Sequence, residues 1–334
     1  MEKEGLKAAI LEQKKRLGVT IAAHFYQRDE VVEIADLVGD SLELSKKARD
    51  DDAPYLLFCG VGFMAQGVKI LSPKKRVFMP RIACCSMARM IDASYFEASV
   101  KAMVAAGIAQ ENIYPITYIN ASAEVKAEVG KMGGMVCTSS NAAVIMSHAL
   151  KSGKKILFVP DRCLGENLAI QMGLKAAVIG RESPEEIAQA DVICFNGFCS
   201  VHQLFTPEDI DFYRERYPDI LIAVHPECDP KVVAKADFSG STSQIIRWVG
   251  EQPLEQKIAV GTEFNLVNRL RQKNTYVLSA TKPECPTMNE TTLIEVKAVL
   301  DSIEDGTFIN EMSVDEETQK WAEIALNRML DLSL

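Results

Sequence analysis

No segment of this 334-residue chain is long and apolar enough to span a bilayer. Its longest apolar stretch, PYLLFCGVGFMA, falls well short of the roughly 20 residues that a spanning helix needs. No secretory leader is expected either: MEKEGLKAAILEQKKRLG has no apolar h-region and reads as a charged amphipathic helix. Nor is there a basic surplus. Lys and Arg number 37 against 46 Asp and Glu, a net charge of −9, which counts against nucleic-acid binding. Small anions remain admissible, because helix N-termini and backbone N–H groups bind them whatever the net charge. There is no low-complexity tract and no flexible linker, and a content of 48% hydrophobic and 25% charged residues is that of a globular chain. The expectation is a cytoplasmic protein with no nucleic-acid or membrane partner. Histidine is scarce, with four residues, but cysteine is not, with nine. In a reducing compartment an odd set of nine is no disulfide framework, so metal or cluster ligation becomes a serious role for some of them.

Short β-branched runs alternate with amphipathic stretches. VTIAAHF, YLLFC, RVFM, IYPITYI, KKILFVP, DVICF, DILIAVH, QKIAVG and TYVLS read as buried strands. EVVEIADLV, FMAQGVKIL, AAVIMSHALKSG and EFNLVNRLRQK read as helices between them. Such alternation predicts an α/β fold with parallel sheets. A repeat then divides the chain. AHFYQ, GDS and CCS recur in cadence as TYIN, CTSSN and NGFCSVH, and again as VHPEC, SGSTSQ and KPECPTM. Ser41 to Cys85 and Ser241 to Cys285 both span 44 residues, while Ser139 to Cys199 spans 60. The surplus of 16 implies an insertion near DRCLGENLAIQMG or RESPEEIAQA. The reading is three similar Rossmann-like units, 1–90, 91–205 and 206–289, in a pseudo-threefold arrangement, with helices from about 290 to 334 packing on the first.

In parallel sheets ligands bind beyond the carboxyl ends of the strands. His24, Asn120 and His225 follow the first strand of their units, and Cys85, Cys199 and Cys285 follow the last. If the units face one another, these residues share one central cavity. Three thiolates can hold a cubane iron–sulfur cluster and leave one iron open as a Lewis acid; buried apolar packing is the bland alternative for the same cysteines. Cys59, Cys137, Cys163 and Cys194 are expected to pack in or near strands, and Cys84 and Cys228 stay ambiguous. The turns around Ser41, Ser139 and Ser241–Thr242 are helix N-caps first, and anion sites second, through their free N–H groups. Tyr26, Tyr118, His202 and Glu227 share the strand-end loops and are candidates for proton transfer. His148, in an apolar helix, reads as structural or surface.

AHFYQ, GDSLELSKKA, FCGVGFMAQGVKIL, CSMA, TYINASAEVKA, CTSSNA, GFCSVHQ, VHPEC, GSTS and CPTMNE, in that order, resemble the quinolinate synthase family from about Val19 to about Glu290. The resemblance implies a transferase of de novo NAD biosynthesis that condenses iminoaspartate with dihydroxyacetone phosphate and releases phosphate and water. It implies a 4Fe–4S cluster held by Cys85, Cys199 and Cys285, with one open iron. Substrate contacts fall on His24, Ser41, Tyr118, Asn120, Ser139, His225, Glu227 and Thr242, with Ser241 adding a second hydroxyl and His202, beside the cluster, a further substrate contact. His24, Tyr26 and Glu227 are the implied proton carriers. Coupling to an L-aspartate oxidase or dehydrogenase that supplies iminoaspartate is a further expectation. The competing reading is another 4Fe–4S hydro-lyase acting on a single hydroxy acid.

Overall fold

The computed structural model describes residues 3–270 and 274–333; the last three residues of the EFNLVNRLRQK pattern lie outside that range. The first unit runs α1 (Lys3–Leu17), β1 (Val19–His24), α2 (Asp29–Val32), β2 (Leu37–Gly39), α3 (Ser41–Asp50), β3 (Tyr55–Cys59), α4 (Gly62–Leu71) and β4 (Arg76–Phe78). The second comprises α5 (Ala93–Ala105), β5 (Ile113–Tyr118), α6 (Ala123–Lys131), β6 (Met135–Cys137), α7 (Ala142–Leu150), β7 (Lys155–Val159), α8 (Arg162–Gln171), β8 (Ala176–Val178), α9 (Pro184–Gln189) and β9 (Val192–Cys194). The third comprises α10 (Pro207–Arg216), β10 (Leu221–Val224), α11 (Pro230–Val233), β11 (Phe238–Ser239), α12 (Thr242–Glu251), β12 (Ile258–Gly261), α13 (Phe264–Leu270) and β13 (Thr275–Val277). Helices α14 (Leu293–Asp305) and α15 (Glu316–Asp331) close the chain.

Each unit builds one parallel sheet, and the repeat appears in the strand orders. The outer units are β2-β1-β3-β4 and β11-β10-β12-β13, the same permutation. The middle sheet is β6-β5-β7-β9-β8: the same order with one further strand, β8, at its edge. The insertion is therefore a strand and a short helix, β8 and α9, rather than a loop. It covers the RESPEEIAQA segment, which opens α9 with a Ser183–Glu186 capping box. Four strands escaped the reading of apolar runs: β2, β6, β8 and β11. Each has only two or three residues, too few to show a periodicity. The EVVEIADLV pattern likewise resolves into a four-residue helix followed by β2.

The apolar cores are unequal. One continuous cluster joins the first two units and takes in Ala322, Leu326 and Met329 of α15. Helix α14 adds Val296, Val299 and Leu300 to the first unit's other face, beside Ile10 and Ile21. Helix α15 lies mainly against α6 and β6, and touches α4, so the two C-terminal helices serve different units. The third unit keeps two clusters of its own, around Ile222 and Ile258. Among the described residues, none from Pro207 to Leu278 enters the shared cluster. What joins the third unit to the others is largely polar: Asn167 donates to the Pro226 and Cys228 carbonyls, Asn265 to the Tyr26 carbonyl, and Arg269 to the Phe25 and Gln27 carbonyls and to Asp29. A polar seam between three sheet ends is where a polar ligand can be held.

Candidate active site

The carboxyl ends of the three sheets face one cavity. It is lined by His24, Tyr26, Ser41, Cys85, Tyr118, Asn120, Ser139, Cys199, His202, His225, Glu227, Thr242 and Cys285 among others. Of the sequence candidates, Ser241 alone stays out of this lining: it is the N-cap of α12, in a reciprocal capping box with Gln244. The expected second hydroxyl beside Thr242 is thus spent on the helix end, and Thr242 is the one that reaches the cavity.

A chain of hydrogen bonds crosses the cavity wall and passes between units at nearly every link. Thr242 donates to the Tyr26 hydroxyl at 3.0 Å, and that hydroxyl meets Thr262 Oγ1 at 2.8 Å. Thr262 meets His202 Nε2 at 3.1 Å. His202 Nδ1 lies 2.8 Å from Glu227 Oε2, and Glu227 Oε1 accepts from the Tyr118 hydroxyl at 2.5 Å. His225 stacks on His202 with ring centroids 4.5 Å apart, and His24 meets Tyr26 edge-on at 4.7 Å. Both ring nitrogens of His202 are therefore engaged by protein. It orients Glu227 and Thr262, and has no free nitrogen to offer a substrate.

Burial sets most of the protonation states. It pushes His24 down to about 4, despite the opposing charge of Asp40, and His225 down to about 3, despite Glu227; both are neutral imidazoles at neutral pH. Burial alone would raise Glu227, but His225, His202 and the hydrogen bonds from His202 and Tyr118 outweigh it and hold the carboxyl well below its usual range. Burial and the Glu227 charge push Tyr26 and Tyr118 well above an ordinary phenol, so both carry their protons.

The cysteines sort by environment. Cys85, Cys199 and Cys285, one from each unit, are half-buried at the cavity, whereas Cys59, Cys137, Cys163, Cys194 and Cys228 are fully buried. Cys84 is exposed and does not line the cavity, whereas Cys85 does. Cys163 sits in the first turn of α8, which packs on β7, β8 and β9. His148 is half-buried on α7, away from the cavity. Burial pushes the Cys85 thiol up to about 12, and the Cys285 thiol adds to that rise; Cys199 is raised by burial, by Glu227 and by both other cysteines. Three mutually repelling soft donors need a cationic centre between them to ionise, and this is the donor chemistry of an iron–sulfur cluster. A second ligand set, Cys199, His202 and Glu227, has donor atoms within 4.8 Å of one another. There, however, the histidine and the carboxylate are already bound to each other and to Thr262 and Tyr118.

The sequence reading missed several contributors. Thr262, Glu263, Asn265 and Arg269 all come from GTEFNLVNRL, a segment that reads as an ordinary strand end and helix. Glu263 accepts the N–H groups of Cys285, Asn265 and Leu266; burial nevertheless pushes it up to about 8. The available signal was a Thr-Glu pair directly beyond β12, at the carboxyl end of a strand.

Fold and site together define an enzyme of three α/β units with a three-thiol cavity at their junction. A family model described as quinolinate synthetase A protein matches residues 8–331. The chain is similar to the quinolinate synthase of Helicobacter pylori strain HPAG1, at 55% identity over 98% of both chains. It is also similar to those of Acidobacterium capsulatum, at 41% identity over 97% of this chain and 92% of that one, and Bacillus cereus, at 38% over 99% and 94%. The chain belongs to the quinolinate synthase family and has quinolinate synthase function in NAD biosynthesis.

Proposed function

We propose that this chain condenses iminoaspartate with dihydroxyacetone phosphate in the central cavity, as a cytoplasmic transferase, releasing phosphate and water to form quinolinate. The observation that carries this reading is the convergence of one thiol and one Ser/Thr turn from each unit around neutral histidines and an ionised glutamate. Cys85, Cys199 and Cys285 would hold a 4Fe–4S cluster. Bound there, the cluster supplies an open Lewis-acidic iron that favours loss of hydroxide from a substrate.

The remaining chemistry belongs to the side chains. Ser41, Ser139 and Thr242, with the free N–H groups of their turns, hold the two carboxylates of iminoaspartate. Neutral His24 and His225 hydrogen-bond to substrate oxygens without adding charge, and Asn120 and Tyr118 fix the opposite edge. Glu227, kept ionised, accepts the proton lost when the imine becomes a carbon nucleophile. Tyr26, kept protonated and gripped by Thr242 and Thr262, donates to an oxygen that departs during isomerisation and ring closure. His24 stands beside Tyr26 to return that proton. Iminoaspartate hydrolyses readily in water, so an enzyme that oxidises L-aspartate, an oxidase or a dehydrogenase, must supply it nearby.

The test is quinolinate formation by anaerobically purified, cluster-loaded protein given both substrates. Product that vanishes on changing Cys85, Cys199 or Cys285 to alanine supports substrates and ligand set together. Absence of product from protein with a verified cluster overturns the substrate assignment and favours a hydro-lyase acting on one hydroxy acid.

A further inference from the structure

Asp40 divides its carboxylate between two tasks. Oδ1 caps its own helix, accepting the N–H groups of Leu42 and Glu43 at 3.0 Å each. Oδ2 accepts the hydroxyl of Ser140 from the second unit at 2.8 Å and that of Ser243 from the third at 2.7 Å. One side chain thus joins all three units at the point where their Ser/Thr turns meet. The corresponding position of the third unit is Ser241, whose single hydroxyl caps α12 and nothing else. A serine at 40 could do as much for α3; only a second oxygen can reach the neighbouring units.

We propose that Asp40 is a positioning residue for the substrate carboxylates, fixing the three anion-binding turns relative to one another. Ser140 is next to Ser139, and Ser243 next to Thr242. Holding the former two sets the register of the latter two against Ser41, which follows Asp40 directly. The tie matters because, among the described residues, none from Pro207 to Leu278 enters the apolar cluster of the first two units, so the contacts that place its turn are largely polar. The two hydroxyl donors and two helix N–H groups offset the negative charge of Asp40, which would otherwise repel a dicarboxylate. Asp40 is 5% exposed and lies in the cavity wall with Ser140. Preorganised donors lose their value once they move by an ångström.

This inference rests on the dicarboxylate reading above, and the experiment separates the two. Asp40→Ser and the double variant Ser140→Ala/Ser243→Ala are compared with wild type in the cluster-loaded full chain, with kcat and KM for iminoaspartate read separately and iron content as control. Each should raise KM and lower kcat/KM by roughly ten- to a hundredfold with iron intact. Combining all three changes should add little, because both sets remove the same bridge. Wild-type kinetics in Asp40→Ser would show that Asp40 is a helix cap only and overturn the proposal; so would losses that multiply in the combined variant. A wild type that makes no quinolinate refutes the substrate reading instead. The bridge is then still read by urea unfolding, where Asp40→Ser and the double serine variant must again be non-additive.

Discussion

Glu227 supplies the sharpest test of the site's electrostatics. It is a fully enclosed carboxylate, 3% exposed, that receives the Tyr118 hydroxyl at 2.5 Å and faces His202 Nδ1 at 2.8 Å. Its pKa falls from the ordinary 4.5 to about 2, a difference equivalent to about 3 kcal/mol. Because the folded value lies below the unfolded one, this stabilisation is fully present above the unfolded value and is lost as pH falls through the folded one. Glu227→Gln keeps the volume and removes the charge. In urea unfolding of the cluster-free chain, where acid release of iron cannot enter, the variant should be less stable by about 3 kcal/mol at pH 7. That gap should stay flat down to about pH 5 and shrink toward pH 2. A double-mutant cycle with Tyr118→Phe should give a coupling of about 1.5–3 kcal/mol at pH 7, the range for a hydrogen bond to a charged group. A gap that does not change with pH, or a coupling below about 0.5 kcal/mol, would refute the claim that Glu227 is an ionised acceptor.

Lys126 is fully buried among carbonyls, donating to Ala121 at 2.8 Å and reaching the Phe63 carbonyl at 3.5 Å, and burial pushes it down from 10.5 to about 7. The fold thus disfavours its charge, and wild type should gain about 2–5 kcal/mol of stability relative to Lys126→Met as pH rises from 7 toward 10.5, measured by urea unfolding; a constant difference would mean the lysine is charged or hydrated. Cys85→Ala should abolish iron binding in anaerobic reconstitution while Cys84→Ala leaves it intact, and the reverse result would move the ligand by one residue. Tyr26→Phe should retain its iron and lose turnover at least a hundredfold; losing both bonds of its hydroxyl should cost about 1–3 kcal/mol in unfolding free energy, and full activity would remove Tyr26 from proton transfer.

The sequence by itself determined a good deal here, because parallel α/β units place chemistry by rule. A β-branched run fixes a strand, and the residue after it lies at the carboxyl end of a sheet. His24, Asn120, His225, Cys85, Cys199 and Cys285 could therefore be picked out from their position after strands, and the 44-residue interval between serine turn and cysteine marked equivalent units. The extra 16 residues of the middle unit were countable as well, though not that they form an edge strand and a helix: a three-residue strand owes its existence to the sheet it joins. Ser241 and Thr242 are adjacent hydroxyls, of which only Ser241 has a Gln three residues on to complete a capping box. That local pattern marks the first as a cap, but only the packed structure decides that the second faces the cavity. Thr262, Glu263 and Arg269 acquire their roles from partners more than 20 residues away in the chain or in another unit. The same is true of the second oxygen of Asp40, whose partners lie 100 and 203 residues further on. Local sequence determines which residues stand at strand ends and helix starts, since those preferences are set by neighbouring backbone. Which of them meet across three units, and which carboxyl or imidazole is ionised there, follows from burial and charge in the assembled cavity, which exists only once the chain has folded.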